Sequence, residues 1–257
     1  MKPILASIGL LLAVCAAGTA QDTYGDRIVV PARNTSGPRV VTCNLLNGSI
    51  TVRTHSGNDV IVEGSEHRQR EETRDGLHRI GESSRGLEVV QDDNVISVRS
   101  QYGNSSVTIT VPVDTSLKLH TLSGGIDVDG VRGETEVHTL NGRIVLSNVS
   151  GTVNADSQNG EIKVTMDQVS STKPLAFSTL NGVVDLTLPA DVKADLTVKS
   201  NHGAVYSDFD VALGGSRSVR DGNRIRIDST IRGTINGGGV DLTIHTLNGA
   251  VYIRKKK

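Results

Sequence analysis

The sequence has no tryptophan, four tyrosines and two phenylalanines in 257 residues. A chain so poor in aromatics cannot fill a bulky ring-rich interior. Its apolar content rests on Val, Ile and Leu with β-branched Thr, which suits a long thin core. The same scarcity removes the surface rings on which sugar faces usually stack. No charge of one sign prevails, because 27 Lys and Arg oppose 28 Asp and Glu. Nucleic acid as a partner is excluded on electrostatic grounds, since displacing its counterions needs a clear basic excess. Cysteine is nearly absent, at Cys15 and Cys43 only.

The first twenty residues are set apart from the rest. Lys2 precedes an apolar run from Ile4 to Ala17, and Gly18-Thr19-Ala20 stands before Gln21-Asp22. A short basic start, an apolar centre and small residues at the cut describe a signal peptide over 1–20, cleaved after Ala20. The run is too short to span a bilayer, so the mature chain has no transmembrane span. Lipidation at Cys15 is the lesser alternative, because Val14 replaces the small residue needed before it. The expected location is the periplasm, the cell envelope or the medium. Cleavage leaves Cys43 alone, without a disulfide partner, as a small buried hydrophobe.

What the chain has in abundance is one phrase. It reads Thr-Leu-Ser-Gly-Gly-Ile-Asp-Val from Thr121, Thr-Leu-Asn-Gly-Arg-Ile-Val-Leu from Thr139 and Ser-Gln-Asn-Gly-Glu-Ile-Lys-Val from Ser157. Gly124, Gly142 and Gly160 are 18 residues apart, as are Ile126, Ile144 and Ile162. Gly133 and Gly151 mark a second corner at the same spacing. Repetition at a fixed period is the mark of a stacked architecture. Ile126 and Val128 alternate with Asp127 and Asp129, a period of two that belongs to strands with one face inward. The expected fold is therefore all-β, a single elongated β-solenoid with an 18–22-residue repeat. The hexapeptide rule of left-handed β-helices does not fit, since apolar residues here fall two apart around Gly corners. The Asn column (Asn47, Asn141, Asn159, Asn181, Asn248) is expected to hold corners, through tolerance of left-handed backbone and through amides bonding along the stack.

In chain order, one β-solenoid domain over 21–257 is expected, irregular over 21–106 and regular over 107–253. Arg27–Val30 reads as an edge strand, and Leu45–Val52 already carries the phrase. Ser65–Gly86 is crowded with Glu and Arg and reads as a solvated excursion. Val107–Val111 before Pro112-Val113-Asp114 echoes Val184–Leu188 before Pro189-Ala190-Asp191, each a strand closed by a Pro turn. Gly214–Asp221 reads as a loop, and Arg254–Lys257 as a frayed basic tail.

On these residues the chain resembles the toastrack-type "putative adhesin" family of bacterial β-solenoid domains. The match runs from Val107–Pro112 through Leu117–Ile126 and the following coils to Tyr206, within a resemblance covering roughly Val40 to Ile253. The resemblance implies an envelope or surface location and a scaffold or adhesin-like role. It implies no catalytic residue and no cofactor.

Candidate chemistry is thin. His120, His138 and Asp156 share one outward register on successive coils, with Ser178, Lys199 and His245 further along it. Two imidazoles and a carboxylate form a metal-ligand set, but the expectation is a solvated ladder, without metal. Asp127 and Asp129 lie two apart, yet Arg143, Ser147 and Thr165 in neighbouring columns deny them a calcium cage. Arg143 and Glu161, on adjacent coils, are expected to form a surface ion pair. No Ser/His/Asp grouping, phosphate-binding Gly loop or CxxC occurs. The favoured function is a non-enzymatic exported scaffold or adhesin-like protein acting through its ladders on an envelope or protein partner, with self-association at its edges. The alternative is a carbohydrate-active β-helix enzyme, a lyase or hydrolase, which needs paired carboxylates at a cleft.

Overall fold

A computed structural model describes residues 26–32, 37–66, 87–214, 218–221, 224–227 and 230–257. The leader expected over 1–20, and residues 67–86 of the segment expected to be a charged excursion, lie outside the described residues. The architecture is all-β, with no helix among the described residues. Among the described residues nineteen strands form one sheet, and two more pair with each other.

Parallel pairing orders the sheet into eight layers. In spatial order they comprise residues 95–112, 39–55, 115–129, 132–147, 150–166, 175–188, 240–255 and 194–207. Each layer has a long strand, a corner at the phrase, and a shorter strand. The short strands repeat the same order, with Ile50, Ile126, Ile144, Ile162, Val184 and Val251 in one register. The 18-residue offset holds from Ile126 to Ile144 to Ile162, widens to 22 at Val184, and is lost at Val184–Val251.

The order of layers departs from the order of the chain at two places. The 39–55 layer lies between 95–112 and 115–129, and the 240–255 layer lies between 175–188 and 194–207. Pro112 pairs with His55, while Thr115, three residues on, pairs with Arg39 on the far side of the same layer. Leu188 pairs with Lys255, and Ala194 pairs with Val240 from the opposite side. The two echoing Pro turns are thus the two points where the chain steps over a layer. Proline suits such a step because it brings no N–H that must find a ladder partner.

Antiparallel strands close the ends, which protects the long edges from pairing with other chains. Leu87–Asp92 and Val60–Glu66 cover the 95–112 layer, and Asp26–Val30 pairs with Val60–Glu66 as an edge strand. At the other end Thr230–Ile235 covers Ala194–Ser200 and carries Val211–Leu213 beyond it. Part of the expected loop over 214–221 is instead a strand, since Ser218–Asp221 pairs with Arg224–Ile227. The basic tail is not frayed. Arg254 and Lys255 belong to the last strand, Lys256 donates its backbone N–H to the Leu188 carbonyl at 2.8 Å, and its side chain pairs with Asp167.

The inward residues follow the alternation read from the sequence. Ile126, Val128, Val137, Ile144, Leu146, Val153, Ile162, Val164, Val184, Leu186, Leu242 and Ile244 are all buried. Each removes from water a side chain worth about 1.5–3 kcal/mol on burial. Cys43 lies in the same core between Val98 and Leu119, and burial pushes its thiol up to about 12.

The corner is held by three residues of the phrase. Its Thr or Ser is buried and bonds to the glycine carbonyl of an adjacent layer. Thr121 donates to Gly48 at 3.1 Å, Thr139 to Gly124 at 3.1 Å, Ser157 to Gly142 at 3.0 Å and Thr179 to Gly160 at 3.1 Å. Its Asn forms an amide ladder, with Asn159 donating to Asn141 at 2.9 Å, and Asn181 to Asn159 and Asn248 to Asn181 at 2.8 Å each. Left-handed backbone is not the reason for these Asn residues. Among the described non-glycine residues only Asp93, Asn148 and Asn236 have positive φ, so the ladder accounts for Asn141, Asn159, Asn181 and Asn248, while Asn47 faces Ser123. The glycine is required by close approach. A Cβ on Gly160 would sit 1.9 Å from the Gly142 carbonyl oxygen, and one on Gly182 would sit 2.0 Å from that of Gly160.

Candidate interaction surface

The outward column containing the histidines is built as the register requires. His120 faces His138, His138 faces Asp156, and Ser178, His245 and Lys199 follow in that order. Lys199 therefore lies beyond His245 and not before it. The two imidazoles meet edge to face with centroids 5.0 Å apart. His138 Nδ1 lies 2.8 Å from the Asp156 carboxylate. That contact turns one candidate ligand nitrogen toward the carboxylate it would have to share with a metal. Among the described residues no group of three or more His, Cys, Asp or Glu is arranged to hold a metal ion. Partial burial first, and then the neighbouring His138, hold the His120 imidazole below its ordinary pKa.

Asp127 and Asp129 are joined by an arginine. Arg53, one layer away, places Nη1 3.3 Å from Asp127 and 3.8 Å from Asp129, and Asn148 donates to Asp129 at 3.0 Å. Val145, not Arg143, is the neighbour of Asp127 in its column. The expected Arg143–Glu161 ion pair does not form among the described residues. Arg143 stands beside Gly125 of the 115–129 layer, where its Cγ would lie 3.6 Å from a Cβ on that glycine.

The two layer-stepping turns each open a cleft. The larger, of about 610 Å³, is bordered by Asp167, Ser170, Pro189, Asp191 and Lys193. The smaller, of about 330 Å³, is bordered by Arg39, His55, Pro112 and Asp114. In the larger, Lys256 neutralises Asp167.

Two features escaped the reading of the sequence. Tyr206 and Tyr252 stack on adjacent layers, with ring centroids 5.2 Å apart and planes 11° from parallel, and Arg254 lies over Tyr252 at 5.0 Å. The surface thus carries a stacked tyrosine pair despite the low aromatic count. Its signal was present, since Gly-Ala-Val-Tyr occurs verbatim at 203–206 and 249–252. The second is the Leu of the phrase. Leu46, Leu122 and Leu180 are exposed at 49%, 39% and 41%, with Leu140 and Leu247 half-buried in the same register. Between Leu46 and Leu247 the column is interrupted by Gln158, in the 150–166 layer, and beyond Leu247 it ends at Asn201.

A family profile matches residues 28–254, nearly the whole layered region. The chain belongs to the Toastrack DUF4097 family. Two solved structures resemble this Toastrack chain weakly. A "putative cell adhesion protein" from Clostridium sporogenes has 13% identity and a TM-score of 0.42, over 90% of this chain and 100% of its own. A "putative adhesin" from Bacteroides fragilis has 10% identity and a TM-score of 0.39, over 91% of this chain and 98% of its own. Likeness of this degree says nothing of function. No curated protein matches the chain at a significant level.

Proposed function

We propose that the protein is a non-enzymatic, exported envelope or cell-surface scaffold, adhesin-like in action, built as a β-solenoid with an 18–22-residue repeat through its central coils. The observation that carries this reading is the outer corner, where a Leu, exposed or half-buried, recurs on five layers beside a ladder of Asn amides. A surface that repeats the same group along a rigid stack suits an extended partner better than a small substrate, which needs different polar groups converging in a pocket. The leader-like start over 1–20 and membership of the Toastrack family support export.

The rival is a carbohydrate-active enzyme, favoured by the cleft bearing Asp167 and Asp191 and by the Tyr206–Tyr252 stack. Incubating the purified protein with a panel of polysaccharides separates the two. The scaffold reading expects no released product. Release that is abolished by Asp191→Asn overturns it. Export is tested by fractionation with N-terminal sequencing. A chain starting at Gln21 is expected, and an uncut chain retained in the cytoplasm contradicts it.

A further inference from the structure

The Leu column is a ridge with charged flanks, and the arrangement of those flanks is not random. On one side, two residues before each Leu, lie Asn44, His120, His138, Asp156, Ser178 and His245 in stack order. On the other side, three residues after each Leu, lie Ser49, Gly125, Arg143, Glu161, Val183 and Ala250. Cationic or titratable groups therefore flank the ridge in the 132–147 layer, and carboxylates flank it in the next layer, 150–166. The boundary between these two is also the midpoint of the eight layers.

We infer that this ridge is a self-complementary interface on which a second copy of the chain packs antiparallel, about a twofold axis between the 132–147 and 150–166 layers. The inference deepens the scaffold reading and rests on it, by naming the partner of that corner. A twofold axis makes the same patch meet itself in reverse order. Reversal about this midpoint sets Leu46 against Leu247 of the second copy, Leu122 against Leu180, and Leu140 against Gln158. It sets Arg143 against Glu161 and His138 against Asp156, each twice by symmetry. Arg143 and Glu161 have no ion pair within the chain among the described residues, so both are available. No like charges meet in the strip.

The competing parallel arrangement is disfavoured by the same residues. With each layer facing its own counterpart, opposite flanks meet. Arg143 then loses its carboxylate partner and meets an imidazole, and Glu161 confronts Asp156, one carboxylate against another. Like-charge juxtaposition of this kind is how interfaces reject a wrong register.

Size sets the strength. Six layers at about 4.8 Å spacing give a ridge about 24 Å long, and the six residues that cross the corner in each layer make a strip at most about 16 Å wide. The area is on the order of 400 Å² per copy, or about 800 Å² in total, below the roughly 1,000 Å² of a standing interface, so the pairing is weak and concentration-dependent.

Analytical ultracentrifugation over a concentration series tests it. Wild type is expected in monomer–dimer equilibrium. Arg143→Glu should weaken the dimer about tenfold or more, since each reversed charge acts twice. The swapped variant Arg143→Glu/Glu161→Arg should restore it, and Leu122→Ser/Leu180→Ser should abolish it, all with wild-type melting temperatures. A wild type that stays monomeric at the highest concentration overturns the inference. So does a dimer indifferent to Arg143→Glu. The scaffold reading fails separately: a monomeric wild type that lacks polysaccharide-releasing activity sinks the pairing alone, and a dimer that releases product sinks the reading alone.

Discussion

The Thr139 hydroxyl donates to the Gly124 carbonyl at 3.1 Å, reaching from its own layer to the glycine of the one before. Four residues earlier on the same strand, Thr135 is also buried, but its hydroxyl has no hydrogen-bond partner among the described residues. Thr135 stands in a core column between Leu117 and Val153, where its neighbours offer only apolar contact.

Opposite effects are therefore expected from one chemical change. Thr139→Val keeps the shape and deletes a satisfied buried donor, at a cost of about 1–2 kcal/mol. Thr135→Val replaces an unsatisfied hydroxyl by a methyl group and should stabilise by about 1 kcal/mol. Urea unfolding of both variants checks the signs, and two losses of equal size would contradict the assignment.

Cys43 gives an alkaline signature. Burial raises its thiol from near 9 to about 12, so the folded chain keeps a proton that the unfolded chain sheds. The thiol's contribution is fully present below the unfolded value and declines as pH rises, by about 1.4 kcal/mol per pH unit through the window. The stability gap between wild type and Cys43→Ala should narrow from pH 8 towards about pH 11. Under native neutral conditions the thiol should resist aromatic disulfide reagents, and rapid labelling there would contradict its burial.

His120 gives an acid one. Its folded pKa lies below the unfolded value of about 6.5, through burial first and the charge of His138 second. Its contribution is intact above that unfolded value and is lost as pH falls toward the folded value, because the unfolded chain binds the proton first. Thermal melts of wild type and His120→Asn should converge as pH drops from about 7.5 to about 5. Identical curves at every pH would place His120 in open water. Chelators should leave both proteins unchanged if the column holds no metal, and a chelator-dependent drop confined to wild type would revive the metal-ligand reading.

Much of the fold was legible because the repeat states it aloud. The Gly and Ile spacings gave strand direction and inward face, and the residues expected inside are inside. Layer order was not legible, because nothing local says that 39–55 inserts between 95–112 and 115–129. Only the echo of Pro112 and Pro189 marked the steps, and its meaning lies in long-range pairing. The corner was read half correctly. Asn amides do form a ladder, but its Thr partners are buried donors, a role that alternation with Leu conceals. The Arg143–Glu161 pair failed because adjacent register fixes backbone neighbours and leaves long side chains free to turn elsewhere. The tail was misjudged for a similar reason, since the last coil is an internal layer with neighbours on both sides.

Within Thr-Leu-Asn-Gly three residues hold the stack, and the Leu that they leave outward is the residue proposed to meet a partner. Comparing the thermal unfolding of Gly160→Ala with that of Leu180→Ser tests it most directly. The alanine methyl would meet the Gly142 carbonyl oxygen at 1.9 Å, so Gly160→Ala should lose about 3 kcal/mol or more. Leu180 is 41% exposed, so Leu180→Ser should melt within about 0.5 kcal/mol of wild type. Comparable losses in both variants would contradict the claim, because the Leu would then be part of what holds the layers together.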